Sequence, residues 1–199
     1  RWKTVFWNPW STMKMRIPII SLHSVSGRNG AGPDLESGID RGIRAGCCGR
    51  NAGILCRSLL APGLNIHRNP LCGRNFEYYS EDPLVSGLVA AAVTDGVQSM
   101  SGCAVTIKHF ACNNQEDNRM GVDSRVSEKA LREIYLRGFE IAVKKSSPLA
   151  IMTSYNLVNG VHAAANYELC TTVAREEWGF QGLIMSDWNT TVRKTERIP

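Results

Sequence analysis

From residue 59 onward the chain alternates strand-like and helix-like runs, and this alternation constrains the fold more than any other feature. Residues 59–65 form a short apolar run that ends in a Pro- and Gly-rich turn. Asp82-Pro83 reads as an N-cap followed by proline at the first helical position. Leu84, Val85, Leu88, Val89, Ala92, Val93 and Val97 then recur at helical spacing. Residues 103–111, with β-branched Val105, Thr106 and Ile107, predict a second strand. Residues 113–124, rich in Asn, Asp and Gly, predict a loop. Ser127 caps the next helix, whose face carries Leu131, Ile134, Tyr135 and Ile141. Lys144 and Lys145 suit its negative end. Residues 149–155 predict a third strand, 166–178 a helix closed by Gly179, and 182–187 a fourth strand.

Strands joined through helices imply an α/β fold with a parallel sheet. An open doubly wound sheet and a (β/α) barrel both satisfy this pattern. A Gly-x-Gly-x-x-Gly turn after a strand would favour a dinucleotide fold, and the sequence has none. The barrel is preferred. Four units cannot close an eight-stranded barrel of roughly 250 residues, so a partial (β/α)8 TIM-like barrel is expected.

In such sheets ligands bind at the carboxyl ends of the strands. His67, Arg68 and Arg74 follow the first strand, and Lys108-His109 ends the second. Tyr155-Asn156 ends the third and Asp187-Trp188 the fourth. Each residue has a plainer reading: Asp187 as a helix cap, Lys108 as a solvated charge, Tyr155 and Trp188 as packing residues. His109 can be a structural hydrogen-bonder, and Arg74 can simply pair with Glu77, Glu81 or Asp82. Together they suit sugar chemistry. A strand-end Asp can attack an anomeric carbon, Arg, Lys and His can donate to sugar hydroxyls, and Trp188 offers an apolar face to a pyranose ring.

Charge and cysteine usage exclude other classes. Residues 1–60 carry nine Lys and Arg against three Asp and Glu, but the remainder is balanced at 14 against 15. The basic part has no periodic face on which to display its charge, so nucleic acid is not expected as a partner. There is no run of 18 apolar residues, so no membrane-spanning helix is expected. The seven cysteines form no zinc-type spacing, and neither a metal nor another cofactor is expected. No secretion signal is visible, and a reducing, cytoplasmic location is expected from the thiols.

Four stretches resemble glycoside hydrolase family 3, the β-glucosidase and β-xylosidase family. They are APGLNIHRNPLCGRNFEYYSEDP at 61–83, IKHFACNNQEDNR at 107–119, IMTSYNLVNG at 151–160 and GLIMSDW at 182–188. The resemblance implies a retaining mechanism in which Asp187 is the catalytic nucleophile. It implies that Lys108, His109 and Arg74 bind the sugar, and that Tyr155 and Trp188 line the first subsite. A small β-glucoside or oligosaccharide is the implied substrate, with β-xylosidase or α-arabinosidase activity, or a sugar-binding remnant, as alternatives. The Phe-Ala-Cys-Asn-Asn run after His109 disfavours the bacterial N-acetylglucosaminidase branch.

Three departures qualify it. The family's general acid/base in enzymes of this type is a Glu on a second α/β domain, expected beyond residue 199. This chain is therefore expected to be a fragment, inactive alone. The family's early sugar-binding Asp, in an Asp-Gly-Pro stretch, has no match in 1–60. The text after Trp188 also leaves the family pattern.

Residues 1–58 read as an irregular segment. At 24–58 the family expects a Thr-Trp-Asn stretch and an amphipathic helix. Reading codons for Pro33-Asp34-Leu35-Glu36-Ser37-Gly38 one base later can yield Gln-Thr-Trp-Asn-Leu. Much of 24–58 is thus expected to be an out-of-frame translation, loosely packed, with the incomplete barrel spanning 59–199.

Overall fold

The computed structural model describes residues 58–190. The readings made for residues 1–57, including the frame-shifted stretch and the irregular segment, lie outside the described residues.

Four parallel strands form the main sheet. They are β1 (Ser58–Leu59), β2 (Ala104–Phe110), β4 (Ala150–Thr153) and β7 (Leu183–Met185). Their order across the sheet is β1-β2-β4-β7, which is their order in sequence. A doubly wound sheet would reverse direction at a switch point, and this one does not. The arrangement is that of consecutive units of a (β/α) barrel.

The first helix, α1 (Pro83–Gln98), starts where the sequence signals it: Asp82 accepts a 2.7 Å hydrogen bond from the Leu84 N–H, and Pro83 needs no partner for a missing donor. Residues around its whole circumference are buried, from Ser86 and Gly87 to Thr94 and Val97. It is wedged between neighbours rather than laid on a surface. The second helix, α2, runs through Glu128–Ala130, Leu131–Tyr135 and Arg137–Ser146, with the Ser127 hydroxyl accepting from Ala130 N–H at 3.3 Å. The third, α3 (Glu168–Glu177), is wound in wide turns and ends at Gly179, whose φ of 73° is cheap for glycine.

Three expectations need correction. The run at 59–65 is not a continuous strand. Pro62 has no N–H to give the ladder, so pairing stops after Leu59 and resumes as a single bridge from Gly63 to Lys108. Leu64 still donates to Lys108 O at 2.6 Å, so the segment stays beside β2. Ile134 does not share the buried face of α2, being 40% exposed. The Leu136 N–H reaches back five residues to Leu131 O. This wide turn inserts a residue and brings Leu136, 1% exposed, into the place that regular spacing gave to Ile134. The third correction concerns the stretches between the main strands, which contain a small second sheet. Its strands are β3 (Asp123–Ser124), β5 (Leu157–Val158) and β6 (Val161–His162). The β5–β6 hairpin turns on Asn159-Gly160, both at positive φ.

The core is built on β2. Val105, Ile107 and Phe110 are fully buried, and Phe110 meets Phe139 of α2 at 5.2 Å and Trp178 at 5.8 Å, both edge to face. Cys72, Cys103, Cys112 and Cys170 are free thiols. At β7, an outer strand among the described residues, Leu183 is 59% exposed.

Helices α1 and α2 meet at Gly87 and Gly138. A Cβ at Gly87 would lie 2.8 Å from Ile141 Cβ and 2.9 Å from Gly138 O, neither of which can swing away. Overpacking here costs about 1–3 kcal/mol, against at most about 1 kcal/mol gained in helix propensity. Gly87→Ala is therefore expected to lower the urea midpoint; an unchanged or raised midpoint would contradict this helix contact.

Candidate active site

The parallel register brings the carboxyl ends of β2, β4 and β7 together, with the chain following β1 alongside. Asn65 fixes the first junction. Its Oδ1 accepts from His109 N–H at 2.9 Å, and its Nδ2 donates to His109 O at 3.0 Å. Asn65 is 3% exposed, so both halves of its amide are satisfied by one backbone unit in the interior. The Lys108–His109 and Phe110–Ala111 peptide bonds are cis.

The loop after β1 then folds over the end of β2. Arg74 donates from its terminal guanidinium nitrogen to His109 Nε2 at 2.8 Å and from Nε to Glu77. Lys108 Nζ lies 2.9 Å from the other oxygen of Glu77. Burial pushes the Glu77 carboxyl upward, but the bond from Arg74 and the Lys108 charge outweigh it, so its pKa lies below the ordinary value. Burial likewise works against the Arg74 cation, and Glu77 more than offsets it. Arg74 does pair with a carboxylate, as its plainer reading held, and it also contacts His109.

Asp187, at the end of β7, is 5% exposed. Its Oδ1 accepts from Trp188 N–H at 2.7 Å, and its carboxylate lies close enough to the Tyr155 phenol to act on it. Burial and then the Asp187 charge raise the Tyr155 pKa, so the phenol keeps its proton. His109 Nε2 stands 3.8 Å from Asp187 Oδ2. This approach is not an ion pair. Burial, then the charges of Arg74, Lys108 and Arg119, push the His109 pKa down to about 2, so the imidazole is neutral.

Five of the six residues singled out in the sequence thus come together: Arg74, Lys108, His109, Tyr155 and Asp187. The ring of Trp188 is 69% exposed and stands at the edge of the group. Sequence reasoning missed Asn65, Tyr78, Asn113, Glu116 and Arg119, and offered Glu77 only as one of three possible partners of Arg74. Arg119 lies 4.7 Å above the Tyr155 ring and is held by Glu116 at 2.7 Å. The density of Asn, Glu and Arg in residues 113–119 was the available signal. A cavity of about 270 Å³ lies elsewhere, lined by Arg68, Gln115, Ser124, Arg125 and Tyr135 among others. None of Arg74, His109, Tyr155 or Asp187 lines it, and chemistry rather than concavity places the site. No group of three metal-ligating side chains occurs among the described residues.

The neutral His109 has a thermodynamic consequence. The unfolded chain binds a proton at this residue near pH 6.5, and the folded chain does not until about pH 2. Between these values the unfolded state holds more protons, so stability falls as pH is lowered. From pH 6.5 to 5 this amounts to about 2 kcal/mol. Urea midpoints should fall over this interval, and His109→Gln should flatten the fall; equal slopes in both proteins would overturn the neutral assignment.

Residues 52–197 match the model of the glycosyl hydrolase family 3 N-terminal domain. Beta-glucosidase A of Butyrivibrio fibrisolvens is 57% identical over 129 residues, covering 65% of this chain and 15% of that protein. An exo-alpha-(1->6)-L-arabinopyranosidase of Bifidobacterium breve is also 57% identical, over 130 residues, covering 65% of this chain and 17% of that protein. Among solved structures, beta-glucosidase 3B from Thermotoga neapolitana in complex with glucose superposes with a TM-score of 0.72 and 57% identity, over 77% of this chain and 21% of that one. The chain therefore spans less than a quarter of the length of these relatives. With the family match over most of its length and a sheet of matching architecture, the chain belongs to glycosyl hydrolase family 3, as part of its N-terminal (β/α) barrel domain.

Proposed function

We propose that this chain carries the nucleophile half of a retaining exo-β-glycosidase, and that its substrate is a terminal β-D-glucosyl residue of a small glucoside or oligosaccharide. The observation that carries the reading is the setting of Asp187. Its carboxylate is buried at a strand end, accepts from the Trp188 N–H and lies near the Tyr155 phenol. Arg74 and Lys108 are anchored by Glu77 rather than by Asp187 itself. The donors near Asp187 are thus fixed in place, and its charge is left for an anomeric carbon.

In this reading Asp187 attacks the anomeric carbon and forms a glycosyl ester as the leaving group takes a proton. Water then releases the sugar with net retention. The hydroxyls of the bound sugar accept from Lys108 and Arg74, and the exposed face of Trp188 covers the ring. His109 acts on the site through Arg74. A second carboxyl about 5 Å from the first is required for retention. We assign it to a Glu on a further α/β domain of the same polypeptide. The 199 residues alone are then expected to be inactive, since losing acid–base assistance costs about 10²–10⁴-fold.

The 57% identity to an arabinopyranosidase favours a second reading equally well at the level of sequence. Aryl β-D-glucoside and aryl α-L-arabinopyranoside separate the two. With the complete polypeptide, turnover of the glucoside with retention is expected, and Asp187→Gly should lower it by at least about 10³-fold. Added azide should restore turnover in that variant and give a product of inverted configuration. Absence of turnover on either glycoside in the complete protein, or an Asp187→Gly variant of undiminished activity, would overturn the proposal.

A further inference from the structure

Tyr78 lies behind His109, on the side away from Asp187, and nothing in the reaction described above uses it. Its hydroxyl is 3.1 Å from His109 Nδ1, and the two rings meet nearly at right angles. Tyr78 is 5% exposed. Its ring lies so close over Gly63 that a Cβ there would come within 2.7 Å of it, so the ring has one seat. Asn113 Nδ2 donates to the same hydroxyl at 3.2 Å and to Glu116 at 3.0 Å.

Hydrogen-bond inventory decides where the imidazole proton sits. Arg74 is a donor without any acceptor, so the His109 Nε2 it contacts must offer a lone pair. A neutral imidazole with a bare Nε2 carries its proton on Nδ1. The phenol oxygen then accepts from Nδ1–H and from Asn113 at once, filling both lone pairs. The opposite tautomer would set the Nε2 proton against the Arg74 N–H.

We infer that Tyr78 is a positioning residue for the site: its hydroxyl, steadied by Asn113, holds His109 as the Nδ1–H tautomer, so that Nε2 aims Arg74 and places no positive charge beside Asp187. The consequence for catalysis rests on the glycosidase reading, but the tautomer itself does not. An imidazolium 3.8 Å from Asp187 would pair with the nucleophile and dull it. The groups facing His109 oppose that state from several sides. Arg74 comes from the loop after β1, Lys108 from β2 and Arg119 from the following loop. Asp187, just past β7, would favour it, while Glu116 is held by Arg119 and Asn113. Glu77 is committed to Arg74 and Lys108.

The test reads the ring directly. The chain has four histidines, and His109 is assigned by the resonance lost in His109→Gln. Long-range ¹H–¹⁵N spectra of the ¹⁵N-histidine-labelled chain should show it protonated on Nδ1, bare on Nε2 and unchanged from about pH 5 to about pH 8. Tyr78→Phe keeps the ring contact and removes the acceptor. It should move the Nδ1 resonance and raise the share of the Nε2–H tautomer by roughly tenfold. Asn113→Leu leaves the phenol in place and should produce a smaller change in the same direction, which serves if Tyr78→Phe does not fold. In the complete polypeptide Tyr78→Phe should lower kcat by about tenfold with KM moved less than about twofold. A wild-type ring protonated on Nε2, or titrating near its ordinary value, would overturn the inference. So would a His109 spectrum unaltered by both substitutions. If the spectra behave as expected while the wild-type polypeptide hydrolyses no glycoside, the positioning role stands and the glycosidase reading falls.

Discussion

The amide of Asn65, clamped in both directions to the backbone of His109, is the interaction on which the site depends. Pro62 breaks the ladder between β1 and β2, and the side chain of Asn65 takes over where backbone pairing ends. A buried carboxamide must find both an acceptor and a donor or lose the desolvation cost of each, about 1–3 kcal/mol per group. The backbone of one residue, His109, supplies both. The loop carrying Arg74, Glu77 and Tyr78 is thereby anchored against β2, which lets residues 31 and 35 positions apart in sequence meet at the two nitrogens of one imidazole.

Charge is distributed over this cluster with little left unpaired, and the division matters for chemistry. Glu77 is shared between Arg74 and Lys108, which leaves one positive charge over, and Glu116 pairs with Arg119. Asp187 accepts instead from the Trp188 N–H, with the Tyr155 phenol nearby. That setting orients a carboxylate without cancelling its charge, which is what the proposed nucleophile requires. The neutral imidazole is part of the same arrangement. Three cations and burial keep the proton off His109, so the residue beside the carboxylate contributes a dipole rather than a counter-charge.

Much of this was legible in the sequence, for identifiable reasons. The N-caps at Asp82 and Ser127 were readable because capping is a local hydrogen bond between near neighbours. The six residues offered for sugar chemistry stood out as polar or aromatic groups at or beyond the strand ends, and five of them meet in the structure. Trp188 was singled out by its aromatic face as well as by the resemblance, and it remains largely in solvent. Ile134 was misplaced because a wide turn changes the helical period without leaving a mark in residue type. The Asn159-Gly160 hairpin carried a readable turn signal, but its strands are two residues long and show no alternation. Glu77 was readable as a local partner of Arg74, three residues away, whereas Tyr78 and Asn113 were silent because they meet His109 and each other only through distant contacts.

By itself the sequence determined the alternation of elements, the parallel sheet it requires, and the chemistry available at the strand ends, because these follow from periodicity and residue type along a single run of chain. Only the tertiary structure decided between a barrel and a doubly wound sheet, since strand order is a property of the sheet and not of any strand within it. It alone decided which carboxylate is spent on a cation and which is left free. It also decided which nitrogen of His109 bears the proton, for the groups that enforce this come from the loops after β1 and β2, and no local pattern records their meeting.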